Sequence, residues 1–527
     1  MKMTTSPKSE ILNPKQSQNP KFKCFKLKPV GVLNFVHLNF EFISNFVLRA
    51  SNFPAMMVFL FLSLFIPLAG RAGGPFVVND EGVASTWDTS DTTPITIHPE
   101  SGACATFSND EMIDKIDENI SVWSDIAGVS LSFAIVEGEL GSVDAGNYET
   151  FVVDSASDPG LTDGLNPVIF DNDGGITDDI FGECNRFVVL GFAGPDAFAA
   201  DSNFGEIIDA QGVFNCLCLP GNAEGPCVVT SGCSGETGVD AGDVVAFSED
   251  TLNFTMTHEV GHMLNLDHSQ VNIDLAAAGC DTSVDGDCDD IPTMYPVSED
   301  AVDQITPTRD DEVALLTLYG ASSLTGFCTV TGSLTDTSGN PLRCADVQAE
   351  TSDTADAIAM VSGAFAPAED VDGDSFTDGE GECLSGCGDF TLRGLDPAKT
   401  YTVTVKPIES AFVGGSSVGP CGSGQLTGVD EEVIAAAVNC GAGETEALGT
   451  LETTSTGGVD EGGGGDDDDS DGGSSSSGCS LVSEDRRHEV RAKGGYGGAE
   501  GFAPDLVVGL IFLMGLILGT RWRMSRS

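Results

Sequence analysis

The stretch HEVGHMLNLDH, residues 258–268, gathers three histidines and one glutamate in a chain that holds only six histidines in 527 residues. On a helix, positions 258 and 262 lie one turn apart on the same face, so two imidazoles reach one metal ion. Glu259 stands beside them, placed to take a proton from a metal-bound water. A catalytic zinc takes three protein ligands and keeps a further position open. His268 supplies the third if the helix stops and the chain turns back after Leu264. That reversal needs a residue that tolerates positive φ, and Asn is the most tolerant type after Gly. Asn265 therefore stands where Gly would be easiest. Asn265→Gly is expected to keep or improve zinc binding, and a β-branched residue there to loosen His268.

Several elements have to position these side chains. TLNFTMTHEVGHMLN (251–265) reads as the long helix that carries the motif. SNDEMIDKIDENISVW opens on Ser108 as an N-cap and sets Met112, Ile113, Ile116, Ile120 and Trp123 at helical spacing. VSLSFAIV (129–136) and RFVVLGFA (186–193) read as strands. A last helix, TRDDEVALLTLYG, begins with Thr308 and Asp311 in capping-box positions and ends at Gly320. From Thr325 the pattern changes to short alternating β segments separated by SGN, GL and DPA turns, the pattern of a small antiparallel sandwich.

HEVGHMLNLDHS resembles the HExxHxxGxxH zinc signature of the metzincin metallopeptidases, closest to the matrixin-like branch, with Asn265 in place of the usual Gly. IPTMYP (291–296) resembles the Met-turn of that family, which implies Met294 as an apolar floor beneath the histidines. TRDDEVALLTLYG resembles the closing helix of matrixin-like catalytic domains. The resemblance implies an α+β fold: a metzincin-like catalytic domain over 73–322, with a twisted, mostly parallel sheet and an active-site helix. A small all-β sandwich follows over 325–452 and resembles the carboxypeptidase regulatory-like, transthyretin-like family. The implied reaction is peptide hydrolysis, with His258, His262 and His268 holding zinc and Glu259 as general base. Two departures stand out. The segment between His268 and Met294 is longer than the family's and contains Cys280, Cys288 and the run DGDCDD, which implies a disulfide-braced loop beside the cleft. No cysteine-bearing prodomain is visible, which puts thiol-to-zinc latency in doubt.

Calcium is the second metal expected. FDNDGGITDD (170–179) offers Asp171, Asp173 and Asp178 around glycines, and DVDGDSFTDGEGE (370–382) offers Asp370, Asp372, Asp374 and Asp378. Oxygen ligands at alternating positions with Gly for the bend suit that ion. Neither is a complete EF-hand, and both also read as acidic turns without metal.

The ends of the chain are of another kind. Residues 1–72 comprise a basic leader and then MMVFLFLSLFIPLAGRAGG, whose short apolar run and small residues near Ala72 have the form of a secretory signal. Translation is then expected to start at Met56 or Met57. Residues 453–502 form an acidic, Gly- and Ser-rich linker. Residues 503–520 make an apolar helix just long enough to span a bilayer, and 521–527 a basic tail. The last three segments resemble a bacterial GlyGly-CTERM-type sorting signal, which implies clipping near Gly478-Cys479-Ser480. A retained membrane anchor is the alternative.

Charge and cysteines narrow the function class. The whole chain carries a net charge of −59. Between Gly73 and Ser480 the only basic side chains are Lys115, Arg186, Arg309, Arg343, Arg393, Lys399 and Lys406, so the body is more acidic still. That argues against nucleic acid and anionic lipid as partners of the body, because both require Lys and Arg to replace counterions. The cysteines at 104, 184, 216, 218, 227, 233, 280 and 288, and at 328, 344, 383, 387, 421 and 440, fall into two even-numbered blocks, as disulfides closed within each domain would require. The expected protein is an exported zinc endopeptidase, extracellular or at the cell surface, acting on protein or peptide substrates. The alternative is a non-catalytic surface adhesion or binding protein that uses a metzincin-like scaffold.

Overall fold

The capping signals at Ser108 and Thr308 start two helices where they were expected, the apolar periodicity of the first buries the face it marks, and the motif helix runs Glu249–Met263, two residues earlier than 251–265. In the computed structural model, the described residues lie between 74 and 454, together with the strand Cys479–Val482. Within that span residues 80, 91–92, 153–163, 200–204, 223–226, 231, 234–241, 243, 273–274, 276–287, 299–303, 368–382 and 409–428 are not described. All described residues belong to the unit Leu68–Ser527. The expected signal segment, the apolar helix expected at 503–520 and the basic tail lie outside them. Among the described residues no helix is long and apolar enough to cross a membrane.

The first part of the chain builds a mixed α+β layer. Strands β1 (Thr86–Trp87), β2 (Ile95–Pro99), β3 (Phe133–Ile135), β4 (Pro167–Asp171), β5 (Val189–Phe198) and β6 (Glu206–Asn215) join one sheet. The pairs β2–β3, β2–β4, β4–β6 and β1–β6 are parallel, while β5 runs antiparallel to β6. Helix α1 (Asn109–Ser124) begins on a Ser108–Glu111 capping box and buries Met112, Ile116, Ile120 and Trp123. A short helix α2 (Gly175–Phe181) and a two-stranded sheet, β7 (Cys227–Val228) with β8 (Val244–Val245), complete the layer before the motif helix α3 (Glu249–Met263). Strand β3 is shorter than the apolar run from Val129 predicts. A one-turn helix (Asn185–Phe187) precedes β5, so that strand starts three residues later than RFVVLGFA implies.

After helix α4 (Arg309–Tyr319) the expected β grammar appears as two sheets. Strands β9 (Cys328–Thr335), β10 (Asp346–Glu350), β11 (Ile358–Val361), β12 (Asp389–Leu395), β13 (Tyr401–Lys406), β14 (Glu432–Val438) and β15 (Thr445–Glu452) form a four-stranded sheet β11-β10-β13-β14 and a three-stranded sheet β12-β9-β15. Val330, Leu334, Phe390 and Leu392 from one sheet share a core with Val347, Met360, Val403 and Val405 from the other. Cys104–Cys216, Cys184–Cys233 and Cys218–Cys227 close within the first cysteine block, and Cys328–Cys440 and Cys383–Cys387 within the second.

Helix α4 is where the two parts meet. Ile291, Tyr295 and Leu316 belong to the same apolar cluster as the sandwich core. Asp310 accepts from Ser269 Oγ at 2.6 Å and from Ala359 N, on β11, at 2.8 Å. Its carboxyl is pushed up to about 7 by burial, with Asp311 and Asp346 adding repulsion. A folded pKa above the unfolded value means that the native state binds the extra proton. Its stabilising contribution is complete at acid pH and is lost as pH rises through about 7. In Asp310→Asn the amide mimics the protonated acid. Its thermal midpoint should fall less steeply than the parent's between about pH 4 and about pH 7, and equal slopes in calorimetry would refute this assignment.

Candidate metal centre

Helix α3 starts at Ser248, whose Oγ accepts from Thr251 N at 2.9 Å. From Phe254 to Met263 every residue is buried, because the helix is enclosed by β5, α1 and the 291–297 segment rather than lying at the surface. Polar ties hold its register against α1: Trp123 Nε1 donates to Thr257 O at 2.8 Å, Thr257 Oγ1 donates to Asn119 Oδ1 at 2.8 Å, and Lys115 Nζ donates to Glu249 Oε1 at 2.5 Å and Asn253 Oδ1 at 3.2 Å.

The helix ends as the motif requires. Asn265 adopts φ 66°. Asn265 N donates to His262 O at 2.8 Å and Leu266 N to Gly261 O at 2.9 Å, the paired bonds of a Schellman turn. This reversal brings His268 back over the helix. Its Nε2 lies 3.2 Å from that of His258 and 3.3 Å from that of His262, whose own Nε2 atoms are 3.0 Å apart. Nitrogens held about 2.0–2.1 Å from one tetrahedral ion stand roughly 3.3 Å from one another, so the spacing fits zinc.

The hydrogen bonds behind the rings make the same point. His258 Nδ1 meets Thr293 O at 2.7 Å and His262 Nδ1 meets Leu266 O at 2.7 Å. A carbonyl only accepts, so both Nδ1 atoms carry the proton and both Nε2 lone pairs face inward. Burial also lowers both pKa values, that of His258 to about 4, which keeps the imidazoles neutral. Converging lone pairs in a dry interior repel one another unless a cation lies between them. Among the described residues, these three histidines are the one group of three or more His, Cys, Asp or Glu side chains whose ligand atoms converge.

Glu259 follows His258 on the helix and is fully buried. A Cβ built on Gly191, in β5, would lie 3.3 Å from Glu259 Cγ and 2.8 Å from Thr255 Cγ2, so β5 passes this close only because that position is Gly. Met294 is buried against the helix, and a Cβ at Gly261 would meet its Sδ at 2.3 Å and Trp123 Cζ2 at 3.0 Å. The Met294 turn is fixed from below by Asp311, whose Oδ2 accepts from Thr293 N at 2.9 Å and whose Oδ1 accepts from Met294 N at 3.1 Å.

The aspartates at 171, 173 and 178 are not brought together. Asp171 Oδ2 accepts from Thr177 N and Oγ1, both at 2.8 Å, which caps α2. Asp173 Oδ1 accepts from Gly175 N at 2.9 Å, and Asp178 pairs with the Arg186 side chain and also accepts from Arg186 N at 2.8 Å. These contacts hold a turn together, and among the described residues the three carboxylates do not converge as ligand atoms would. Asp370, Asp372, Asp374 and Asp378 lie outside the described residues. Cys216, Cys218, Cys383 and Cys387 all form disulfides, which removes them as metal ligands. His98, on β2, accepts from Asn166 N at 2.9 Å, and its Nε2 lies 3.5 Å from Glu139 Oε2.

What the sequence did not reveal is the second task of Asn265. Its Oδ1 accepts from Val77 N at 2.6 Å, and its Nδ2 donates to Val77 O at 2.9 Å and to Ser85 O at 2.8 Å. Glycine would satisfy the turn but could not hold residues 74–85 against the helix end. The carbonyls of Thr293 and Leu266 carry no signal in sequence at all, since every residue has one.

No family model and no curated protein matches this chain.

Asn265→Gly should keep the turn and the histidine spacing yet lose about 1–3 kcal/mol of stability with its three side-chain bonds. Limited proteolysis within residues 74–85 should accelerate as well. An unchanged denaturation midpoint would rule out the tether.

Proposed function

We propose that the chain is an exported, zinc-dependent metalloendopeptidase of the metzincin, matrixin-like type. The observation that carries this reading is the convergence of three Nε2 atoms within 3.3 Å of one another, with an acid one residue along from the first. When bound, zinc supplies Lewis acidity, lowering the pKa of water towards neutrality and polarising a carbonyl. The protein's own groups do the rest. His258, His262 and His268 hold the ion, and the Thr293 and Leu266 carbonyls fix the tautomers that make His258 and His262 ligands. Glu259 accepts a proton from the attacking water at its carboxylate and returns it to the leaving amine. Disulfides in both cysteine blocks support an oxidising compartment, and hence export. The internally bonded loop at 171–178 gives calcium no support there. The β-sandwich we take as an accessory domain of the carboxypeptidase regulatory-like kind.

The test is metal analysis of the exported chain together with cleavage of a mixed peptide library, with and without chelator, beside Glu259→Ala. One zinc per chain is expected in both proteins, with cleavage reduced roughly 10²–10⁴-fold by the substitution. Zinc without Glu259-dependent cleavage would favour a non-catalytic binding protein on the same scaffold. A chain without zinc would refute both readings.

A further inference from the structure

Strand β5 is the antiparallel margin of an otherwise parallel sheet, and its outer edge is covered. The segment Cys479–Val482, β16, pairs with it antiparallel: Cys479 opposite Ala193, Ser480 opposite Phe192, Leu481 opposite Gly191 and Val482 opposite Val189. This segment comes from beyond the acidic linker, far from the sheet in sequence. The part of β5 that it covers is the part next to the metal centre. Gly191 lies against Glu259 and Thr255, and Gly194 packs on the Phe76 ring, whose centroid is 5.9 Å from that of His262. Glu259 and the three histidines are all buried.

An open edge bonds any extended peptide through its backbone, whatever the side chains. From this juxtaposition we infer that the chain's own segment Cys479–Val482 is a resident strand on the outer edge of β5 and keeps other extended peptides off it. The tail lies where an extended substrate would align beside Glu259 and competes with it. The competition rests on the peptidase reading above; the docking itself does not. A four-residue strand makes only a few ladder bonds, so docking is weak in absolute terms and depends on covalent tethering, which replaces a second-order encounter with an intramolecular one. Release of the tail, by clipping or by displacement, then exposes the edge.

The test uses the full chain and its Ser480→Pro/Leu481→Pro variant. Adjacent strand residues direct their N–H groups to opposite sides, so two consecutive prolines remove whichever donor faces β5. Hydrogen exchange of peptides covering Val189–Phe198 is measured in a Glu259→Ala background, where self-cleavage cannot remove the tail. The prolines should speed exchange of the outward β5 amides at least about tenfold, leaving peptides from Glu249–Met263 unchanged. With Glu259 intact, the same prolines should lower KM for library peptides severalfold at unchanged kcat. Unchanged β5 exchange overturns the docking. Faster exchange with unchanged KM overturns the competition. If neither chain cleaves peptide, the peptidase reading fails, and β5 exchange still decides for or against the docked tail.

Discussion

Three imidazoles aimed at one point in a dry interior do not stay there unaided, because converging nitrogen lone pairs repel one another. The helix end bears that constraint. His258 and His262 come at helical spacing, but His268 arrives only because the chain reverses at Asn265 with φ 66° and closes a Schellman turn. The carbonyls of Thr293 and Leu266 then hold the first two rings in the tautomer that leaves Nε2 without a proton. Removing either the reversal or the carbonyls would return the rings to arrangements in which they bond to one another or to water.

The same constraint explains why so much of the chain converges on this helix. Asn265 ties residues 74–85 to the helix end through its side chain while its backbone makes the turn. Helix α4 serves two sides with consecutive residues. Asp311 holds the backbone of Thr293 and Met294, Asp310 reaches Ala359 in the sandwich, and Arg309 Nη2 donates to Gly394 O at 2.7 Å. The floor of the histidine cluster and the β-sandwich are thus linked through one turn of helix, and the two acids are buried. Strand β5 closes the remaining side, approaching Glu259 through Gly191 and paired on its outer edge with Cys479–Val482.

Much of this was legible in the residues. The 258, 262 and 268 spacing, the Ser108 and Thr308 caps, the apolar stripe of α1 and the shift to short β segments after Thr325 are local signals, and local energetics dictates them. The aspartate loop was legible in composition only. Alternating acids around Gly suit calcium, and the same residues also suit a helix cap and an Arg186 ion pair, which are the contacts the fold shows.

The sequence by itself determined which side chains can bind a metal, where the helices begin and that the chain must turn after Leu264, because those follow from ligand chemistry, capping and backbone sterics over a few residues. Tertiary structure decided the rest. The ring tautomers depend on carbonyls up to 35 positions away. The choice of Asn over Gly at 265 depends on a segment 188 positions upstream. The edge of β5 is covered by residues almost three hundred positions later in the chain. Backbone groups carry no residue identity and long-range pairing leaves no period, so only the folded chain could show what each of them holds.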